Sequence, residues 1–397
     1  MHRLTSLLGM PQHRFGSVHV VGTNGKSSVT RMTAALLEAH GVPTGACLSP
    51  HLDRWAERVL IRGRPIEPSA FAEAVQRTAE SAAVVDRTLE QGEAVTQFEL
   101  AIAASFVALA AARVRAGVVE AGLGGRLDAT NVLPSKVTVL TSVGLDHTEW
   151  LGETELEIAA EKLAVLRNGS TLVTGRLSEP VRRLAAQTAR DRGATLVEAP
   201  ADPGEDLRMR MPGPFQRRNF ALACAAAEAF LGGLDPERVR EVAGDLTIPG
   251  RLERIGEDPP TYLDAAHNPD GAAALAEALP ALAGDAPVFA CLAVLSDKDA
   301  HGIAAALAPA LRGVVATGLP SAALAGARPG VHGRDPEELA QIFRGAELEA
   351  EAVADPKMAL ARVRELAAEA GGVALATGSH YLLGALWTER QGQSFSR

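Results

Sequence analysis

The stretch GTNGKSS at residues 22–28 sets the fold of the chain around it. An apolar run at residues 18–21 leads into it, and an Ala- and Leu-rich run at residues 29–38 follows. That order predicts a strand, a glycine turn and a helix. Such a turn directs backbone N–H groups and a helix N-terminus at one point, so it suits a phosphate group. Lys26 adds a positive charge there, and a hydroxyl after such a lysine holds Mg²⁺ in loops of this type.

The match to the general phosphate-loop pattern is imperfect, because Val20 stands where that pattern has its first glycine. A plain strand-to-helix turn is therefore the alternative interpretation. The predicted strand before the turn, the predicted helix after it, and the two hydroxyls of Ser27 and Ser28 favour phosphate binding.

Composition limits the function classes that remain open. A chain of 397 residues with 47% hydrophobic and 22% charged residues predicts a globular protein of two or three domains. The net charge of −9 provides no general basic field, so we expect no nucleic-acid partner. An anionic substrate would be held by local Arg, Lys or metal.

Cysteine usage and hydropathy predict a cytoplasmic location. Cys47, Cys224 and Cys291 are far apart in the sequence, which indicates free thiols in a reducing compartment. The first residues lack the apolar core of a signal peptide. The most apolar run, residues 100–112, is too short to cross a bilayer and predicts a buried helix instead. We expect no membrane partner.

Polar residues follow three predicted strands in the first part of the chain. Ser49 follows the strand at residues 44–48, and a turn hydroxyl or a helix cap is its alternative role. Glu120 ends the next strand and precedes a glycine-rich turn at residues 121–131. His147 follows the strand at residues 136–142. Glu120 and His147 at successive strand ends indicate a metal site, although a lone His at such a position is more often structural.

Two other segments have a structural interpretation on sequence alone. The residues Thr96, Gln97, Phe98 and Glu99 open the apolar helix, and Thr96 with Glu99 forms the pattern of a capping box. Lys162 lies beside Glu161 on a predicted helix at residues 153–166, a pair that is normally solvated. This chain has far fewer lysines than arginines, so Lys162 can mark a position where a compact amine is needed.

The predicted domain boundary lies at residues 248–251, which gives domains 1–247 and 248–397. Beyond it, strands alternate with helices again, which predicts a second, smaller and mostly parallel sheet. The fold class expected for the chain is therefore α/β. The Ala-, Gly- and Pro-rich residues 320–330 are expected to form a surface loop.

Taken in order, the motifs resemble those of the folate branch of the Mur ligase family, the folylpolyglutamate synthases and dihydrofolate synthases. The resemblance spans the chain from about Leu4 to Tyr381 and rests on the order and spacing of many short motifs. These motifs are GTNGKSS, SPHL, ERV, GRPI, TQFE, EAGLGGRLDATN, GLDHTEWLG, EK, RN, PGR, LDAAHNP, SDKD and TGS.

The resemblance implies an N-terminal P-loop ATPase domain and a C-terminal Rossmann-like glutamate-ligase domain, with the site between them. It implies ATP-dependent amide formation between the carboxylate of a pteroate or folate and the amine of L-glutamate. ATP and Mg²⁺, with two metal sites, are the implied cofactors, and a monomer is the implied state.

The resemblance also assigns residues. It places Asn24, Gly25, Lys26, Ser27 and Ser28 at the ATP phosphates, Asn219 at adenine, and Arg251 and Asp264 at further ATP contacts. It places Ser49, Glu120 and His147 at Mg²⁺, and a carbamate on Lys162. It assigns Thr96, Gln97, Phe98, Glu99, Leu127, Asp128 and Ala129 to the pterin-side pocket, and His267 to the glutamate or phosphate. Its catalytic set is Lys26, Glu120, His147, Lys162 and His267.

Two features depart from the family pattern. Many relatives have glycine where Ser27 stands, so which of Ser27 and Ser28 meets the metal stays open. The chain also starts close to the phosphate loop, whereas relatives carry a further helical segment upstream. Two other functions compete with the folate ligase. One is a Mur-type ligase that acts on another carboxylate, such as a peptidoglycan precursor, and the other is a non-catalytic ATP-binding module.

Overall fold

The computed structural model describes residues 1–204, 206–324 and 330–387. The chain divides into two compact units. Unit 1 comprises Met1–Met209 and Arg217–Leu246, and unit 2 comprises Arg210–Gln216 and Thr247–Arg397. Part of the loop expected at residues 320–330 lies outside the described residues.

The strands of unit 1 are β1 (Gly16–Val21), β2 (Thr44–Cys47), β3 (Val59–Ile61), β4 (Arg64–Pro65), β5 (Ala116–Glu120), β6 (Val137–Leu140), β7 (Thr171–Thr174) and β8 (Thr195–Glu198). Its helices are α1 (His2–Leu7), α2 (Lys26–Ala39), α3 (Pro68–Asp86), α4 (Gln97–Ala111), α5 (Thr148–Leu151), α6 (Glu155–Leu163) and α7 (Glu179–Asp191), followed by most of α8 (Pro214–Leu231) and by α9 (Pro236–Asp245).

The strands of unit 2 are β9 (Glu253–Glu257), β10 (Pro260–Leu263), β11 (Val288–Leu292), β12 (Gly313–Ala316), β13 (Ala350–Ala352) and β14 (Val373–Thr377). Its helices are α10 (Pro269–Ala283), α11 (Ala300–Leu307), α12 (Pro336–Gly345), α13 (Pro356–Ala370) and α14 (His380–Ala385).

Unit 1 is built on a sheet with the order β4-β3-β2-β5-β1-β6-β7-β8 among the described residues. The strands from β2 to β8 in that order pair in parallel, and β3 and β4 add an antiparallel edge. The central strand β1 pairs with β5 and β6, with Val18 opposite Val118 and Val137. Parallel strands covered on both faces need near-continuous apolar residues, and β1 and β5 are almost fully buried. The carboxyl ends of β1, β2, β5 and β6 therefore meet at one edge.

The apolar run predicted to be a buried helix is α4, which confirms that prediction. Its residues from Ala101 to Leu109 are buried, and Phe106 and Leu109 belong to a core cluster that includes Leu4 and Phe15. A helix that is apolar on all sides is stable only where other elements surround it. Among the described residues, no helix is both long and apolar enough to cross a membrane.

Unit 2 contains a second sheet with the order β13-β12-β11-β14-β10-β9, as the restart of the alternation predicts. All its pairings are parallel except that of β9 with β10. Its core is rich in small residues, and Leu275, Leu339 and Phe343 on the covering helices are buried against the sheet. The α/β class and the two mostly parallel sheets agree with the sequence analysis.

Several boundaries differ from those predicted. Helix α6 is shorter than the predicted helix at residues 153–166, and β6 is shorter than the predicted strand at residues 136–142. The predictions also missed β3 and β4, which lie in an arginine-rich stretch. They missed β8, β9 and β13 as well, because these edge strands carry polar and partly exposed residues. Cys47, Cys224 and Cys291 are free thiols, as expected.

Candidate functional site

The predicted strand, glycine turn and helix are β1, residues 22–25 and α2. Gly25 caps α2 with φ 83°, a left-handed conformation that favours glycine. A Cβ atom at Gly25 would lie 2.6 Å from Oδ1 of Asn219, so the position also requires a close approach. The structure thereby brings Asn219 against the phosphate loop, and Lys26 Nζ donates to the Thr23 carbonyl at 2.9 Å.

The end of β6 holds the loop in place. Thr141 Oγ1 donates to the Asn24 carbonyl at 2.6 Å, and the Asn24 N–H donates to Ser142 Oγ at 3.0 Å. The Thr23 N–H donates to the Ser142 carbonyl at 2.8 Å. These bonds fix the turn between two parallel strand ends, which pre-organises its N–H groups for an anion. Sequence reasoning did not single out Thr141 or Ser142, although both follow a strand at the functional edge.

Glu120 ends β5 beside this loop and is only 2% exposed. The Ser27 hydroxyl donates to Oε1 at 2.8 Å, and the Ser49 N–H donates to Oε2 at 3.1 Å. The structure therefore gathers one carboxylate and two hydroxyl-bearing residues, oxygen donors of the kind that Mg²⁺ prefers. Ser28 is 1% exposed and lies one residue further into α2.

His147 is the N-cap residue of the short helix α5 and has φ 54°. The His147 Nε2 lies 3.8 Å from Asp146 Oδ1, and the backbone N–H of His147 donates to that same oxygen at 3.0 Å. Within the described residues, no group of three or more His, Cys, Asp or Glu side chains is arranged to hold a metal. The predicted set has only two such residues, Glu120 and His147, and Mg²⁺ completes a small set with water and phosphate oxygens.

Lys162 is buried at the last turn of α6, contrary to the solvated face that its neighbour Glu161 indicates. It is 3% exposed, and its Nζ donates to the Gly22 carbonyl at 3.0 Å. Burial, together with the positive charge of Lys26, lowers the pKa of Lys162 to about 7, against the opposing effects of Asp146 and Asp128. A lysine with such a pKa carries an appreciable neutral fraction near pH 7, and the neutral amine is the nucleophilic form.

The residues assigned to the pterin side lie at the start of α4 and in the glycine-rich turn after β5. The capping box is present: Thr96 Oγ1 accepts from the Glu99 N–H, and Glu99 accepts from the Thr96 N–H. The Phe98 ring packs on Gly122, where a Cβ atom would lie 2.3 Å from the ring. The two segments therefore meet. The exposures of the other members differ: Gln97 is exposed, Leu127 is 92% exposed, Asp128 is 9% exposed and Ala129 is 6% exposed.

In unit 2, Asp264 follows β10 and is 3% exposed. It accepts from the Leu252 N–H at 3.0 Å and from the Ala266 N–H at 2.9 Å. Burial raises the pKa of Asp264 against the lowering effect of nearby Arg251.

His267 lies close to Asp264 in the sequence, and its Nδ1 is 2.8 Å from the Ala265 carbonyl. Its ring centroid lies 5.4 Å from that of His380, which opens α14 after β14. Sequence reasoning assigned no role to His380, and its only signal was its place after a predicted strand.

Comparisons with known proteins identify the family of the chain. Residues 250–380 match the family model for the Mur ligase glutamate-ligase domain. The chain is 36% identical over 352 residues to the dihydrofolate synthase/folylpolyglutamate synthase of Mycobacterium tuberculosis, covering 79% of this chain and 72% of that protein. It is 32% identical to the folylpolyglutamate synthase of Lacticaseibacillus casei, with 80% of each chain covered.

Solved structures of folylpolyglutamate synthases are similar to this chain over almost its whole length. The M. tuberculosis folylpolyglutamate synthase complexed with ADP and AMPPCP superposes with a TM-score of 0.90 at 32% identity, over 99% of this chain and 95% of that one. The Yersinia pestis bifunctional enzyme complexed with AMPPNP and a Mn ion superposes with a TM-score of 0.83 at 26% identity, over 97% of this chain and 91% of that one.

The phosphate loop, the Glu120 carboxylate beside it and the matched C-terminal domain define an enzyme of the Mur ligase class. Within that class, the two relatives are identical to this chain at about a third of the aligned positions, and the alignments cover most of their length. The chain belongs to the folylpolyglutamate synthase/dihydrofolate synthase family.

Proposed function

We propose that this enzyme joins L-glutamate to dihydropteroate, to tetrahydrofolate or its polyglutamates, or to both, with cleavage of ATP to ADP and phosphate. The acceptor carboxylate attacks the γ-phosphorus of ATP, which gives an acyl phosphate and ADP. The amine of glutamate then attacks the acyl carbon, an amide forms, and phosphate leaves with release of the amine proton. The observation that carries this proposal is the convergence of the phosphate loop, Glu120 and the buried Lys162 at one sheet edge.

The nucleotide contacts are proposed from the family resemblance, and the geometry of the loop and of Asn219 supports part of them. Phosphoryl transfer depends on positioning and on neutralising charge, which a rigid loop and a lysine provide. The β6 contacts to Asn24 and the approach of Asn219 to Gly25 support a rigid site in residues 1–247. The proposed phosphate contacts are Asn24, Gly25, Lys26, Ser27 and Ser28. Asn219 is the proposed adenine contact, with Arg251 and Asp264 as ATP contacts in residues 248–397, the proposed glutamate-ligase domain.

Mg²⁺ is the proposed metal, and Ser49, Glu120 and His147 are its proposed ligands, with two metal sites as in the sequence analysis. Ser49 and Glu120 offer the oxygen atoms that Mg²⁺ prefers, whereas the assignment of His147 rests on the family resemblance alone. When bound, Mg²⁺ neutralises phosphate charge as it develops. Glu120 is already oriented by Ser27 and by the Ser49 backbone, so little rearrangement is needed to present its oxygens. His267 is proposed to act at the glutamate or the phosphate.

Lys162 is proposed to carry a carbamate. The neutral amine at Nζ attacks the carbon of CO₂, a carbon–nitrogen bond forms, and one amine proton is released, so a cation becomes an anion. The lowered pKa of Lys162, near 7, supports this step because it leaves neutral amine available. The nearby Asp146 and Asp128 would oppose a further anion, and bound metal would offset that repulsion.

The pterin-side pocket is proposed to comprise Thr96, Gln97, Phe98, Glu99, Leu127, Asp128 and Ala129. The packing of Phe98 on Gly122 supports this assignment, because it places an aromatic ring beside the glycine-rich turn. An exposed Leu127 next to a mostly buried Asp128 offers apolar area beside one carboxylate, which suits a flat, polar heterocycle.

The direct test is release of phosphate from ATP with Mg²⁺ and L-glutamate, with dihydropteroate, tetrahydrofolate or no acceptor. Activity with both acceptors is expected of a bifunctional enzyme, and activity with tetrahydrofolate alone of a chain extender. Lys26→Ala tests the loop, and Lys357→Ala, an exposed lysine of α13, is its matched control. No release with either acceptor, from folded protein that binds ATP, would reject the folate substrate. A panel of other carboxylates would then identify the Mur-type alternative.

A further inference from the structure

A buried hydrogen-bonded chain lies behind the glycine-rich turn of unit 1, and its first member is His19. This residue is in the middle of β1, with 0% exposure, inside a run that is otherwise mostly apolar. Its Nε2 lies 2.8 Å from Thr130 Oγ1. Thr130 is also 0% exposed and lies in the short 3₁₀ turn Ala129–Val132 after Asp128.

Which groups donate and which accept in this hydrogen-bonded series follows from the number of hydrogens that each group carries. The Thr130 hydroxyl donates to Asp128 Oδ1 at 2.5 Å, which uses its single hydrogen. Its oxygen must then accept from His19, so Nε2 of His19 carries the ring hydrogen. His19 Nδ1 has no hydrogen-bond partner among the described residues, and this favours an unprotonated nitrogen there, because an unpaired buried N–H donor is rarer than an unpaired acceptor. Burial, with a smaller effect of Arg167, lowers the pKa of His19 to about 3, so the ring is neutral near pH 7.

The chain ends on a carboxylate with fixed orientation. Asp128 Oδ1 also accepts from the Thr130 N–H at 2.9 Å, and Oδ2 accepts from the Leu123 N–H at 2.8 Å. The same carboxylate therefore holds the glycine-rich turn through Leu123. Asp128 retains 9% exposure, so it is not sealed from outside.

We propose that His19 is a positioning residue for pterin recognition, and that it acts through Thr130 to fix the Asp128 carboxylate in the substrate pocket. This inference rests on the proposed function. A pterin carries N–H donors on one edge of a planar ring, and Asp128 Oδ2, which among the described residues accepts only from the Leu123 N–H, has a second lone pair that can accept one of them. Because the imidazole has one hydrogen and is neutral, the hydrogen bonds from His19 through Thr130 fix the orientation of the Asp128 carboxylate and add no charge.

The first test compares Thr130→Val with Thr130→Ser. The valine variant keeps the β-branched shape and removes the hydroxyl, whereas serine keeps the hydroxyl. We expect Thr130→Val to raise the KM for the pterin-bearing acceptor about tenfold, with the KM for ATP changed by less than about twofold. Thr130→Ser should restore the KM for the acceptor, and His19→Leu should raise it in the same direction.

Ser135→Ala is the matched control, because Ser135 is a buried hydroxyl of the same unit that lies 3.4 Å from Thr138 Oγ1 and outside the chain. It should leave the KM for the acceptor unchanged. Thermal unfolding of each variant separates a folding defect from a binding defect. An unchanged acceptor KM in Thr130→Val, or equal rises in the KM values for acceptor and ATP, would overturn the proposal.

A second test needs no turnover. Nitrogen-15 NMR of labelled histidine should show His19 as the Nε2–H tautomer, without titration between about pH 5 and pH 9. The Nδ1–H tautomer, or titration in that range, would overturn the inferred direction. Direct binding of dihydropteroate and tetrahydrofolate distinguishes the remaining failures. A protein that binds neither contradicts the proposed function, whereas tight binding that is insensitive to Thr130→Val contradicts the positioning role alone.

Discussion

The hydroxyl of Ser27, the residue directly after Lys26, donates a hydrogen bond to Oε1 of Glu120 at 2.8 Å. The Ser49 N–H occupies the other carboxylate oxygen. Both oxygens of the proposed metal ligand are therefore oriented by groups from two neighbouring elements. Hydrogen bonds to a ligating carboxylate set its orientation, and their loss weakens metal binding.

Removal of the Ser27 hydroxyl is expected to weaken metal binding. We expect Ser27→Ala to lower the affinity for Mn²⁺ in the presence of ADP about tenfold, because Glu120 loses its orienting donor. Isothermal titration measures that affinity. Ser81→Ala is the control, since Ser81 is a half-buried residue of α3 whose hydroxyl bonds to a carbonyl of its own helix. Mn²⁺ affinity equal to that of the unmodified protein would show that Ser27 does not support the site.

Gly25 is expected to tolerate no side chain, for two separable reasons. Gly25→Ala places a Cβ at positive φ and 2.6 Å from Asn219 Oδ1, so both backbone strain and a displaced Asn219 follow. We expect a loss of about 1–2 kcal/mol in the free energy of unfolding and a rise of about tenfold or more in the KM for ATP.

Gly41→Ala isolates the backbone effect. Gly41 has φ 79°, but no described atom lies within 4 Å of the position that a Cβ would take, so the variant carries strain without a steric conflict. Urea unfolding and ATP kinetics of both variants measure the difference. Equal effects of the two variants on the KM for ATP would show that Asn219 has no part in nucleotide binding.

Much of the site's framework follows from sequence patterns, because strand ends and glycine turns are local. The apolar run before residues 22–28 and the position of Glu120 at a strand end both predict the sheet edge correctly. Burial of Lys162 does not follow from any local pattern, since α6 buries it only through packing against residues far away in the sequence. The role of His19 was not predicted for a different reason, because a single polar residue in an apolar strand is interpreted as part of the core.

Loss of the Lys162 amine is expected to abolish ligation. We expect Lys162→Ala to lower kcat about 100-fold or more, because the proposed carbamate cannot then form beside the proposed metal site. Lys357→Ala, on the exposed face of α13, should keep full activity. Enzyme prepared without CO₂ should lose activity and regain it with bicarbonate, and the Lys162 variant should show no such gain. Full activity in CO₂-free buffer would contradict the carbamate.

The titration of Lys162 should also appear in the pH dependence of stability, measured without CO₂. The pKa of Lys162 is lowered from 10.5 to about 7 on folding, so between these values the unfolded chain binds the extra proton. Stability therefore rises with pH from about 7 to about 10.5, whereas below about pH 7 both states hold the proton and the cost of burying the charge is constant.

Lys162→Met keeps the apolar stem and removes this titration. The free energy of unfolding of the unmodified protein, relative to that of Lys162→Met, should gain on the order of 2–3 kcal/mol over about two pH units above 7. Urea unfolding at several pH values measures that difference. A difference that stays constant across this range would mean that Lys162 does not lose its proton on folding, and would remove the basis for a nucleophilic amine at this position.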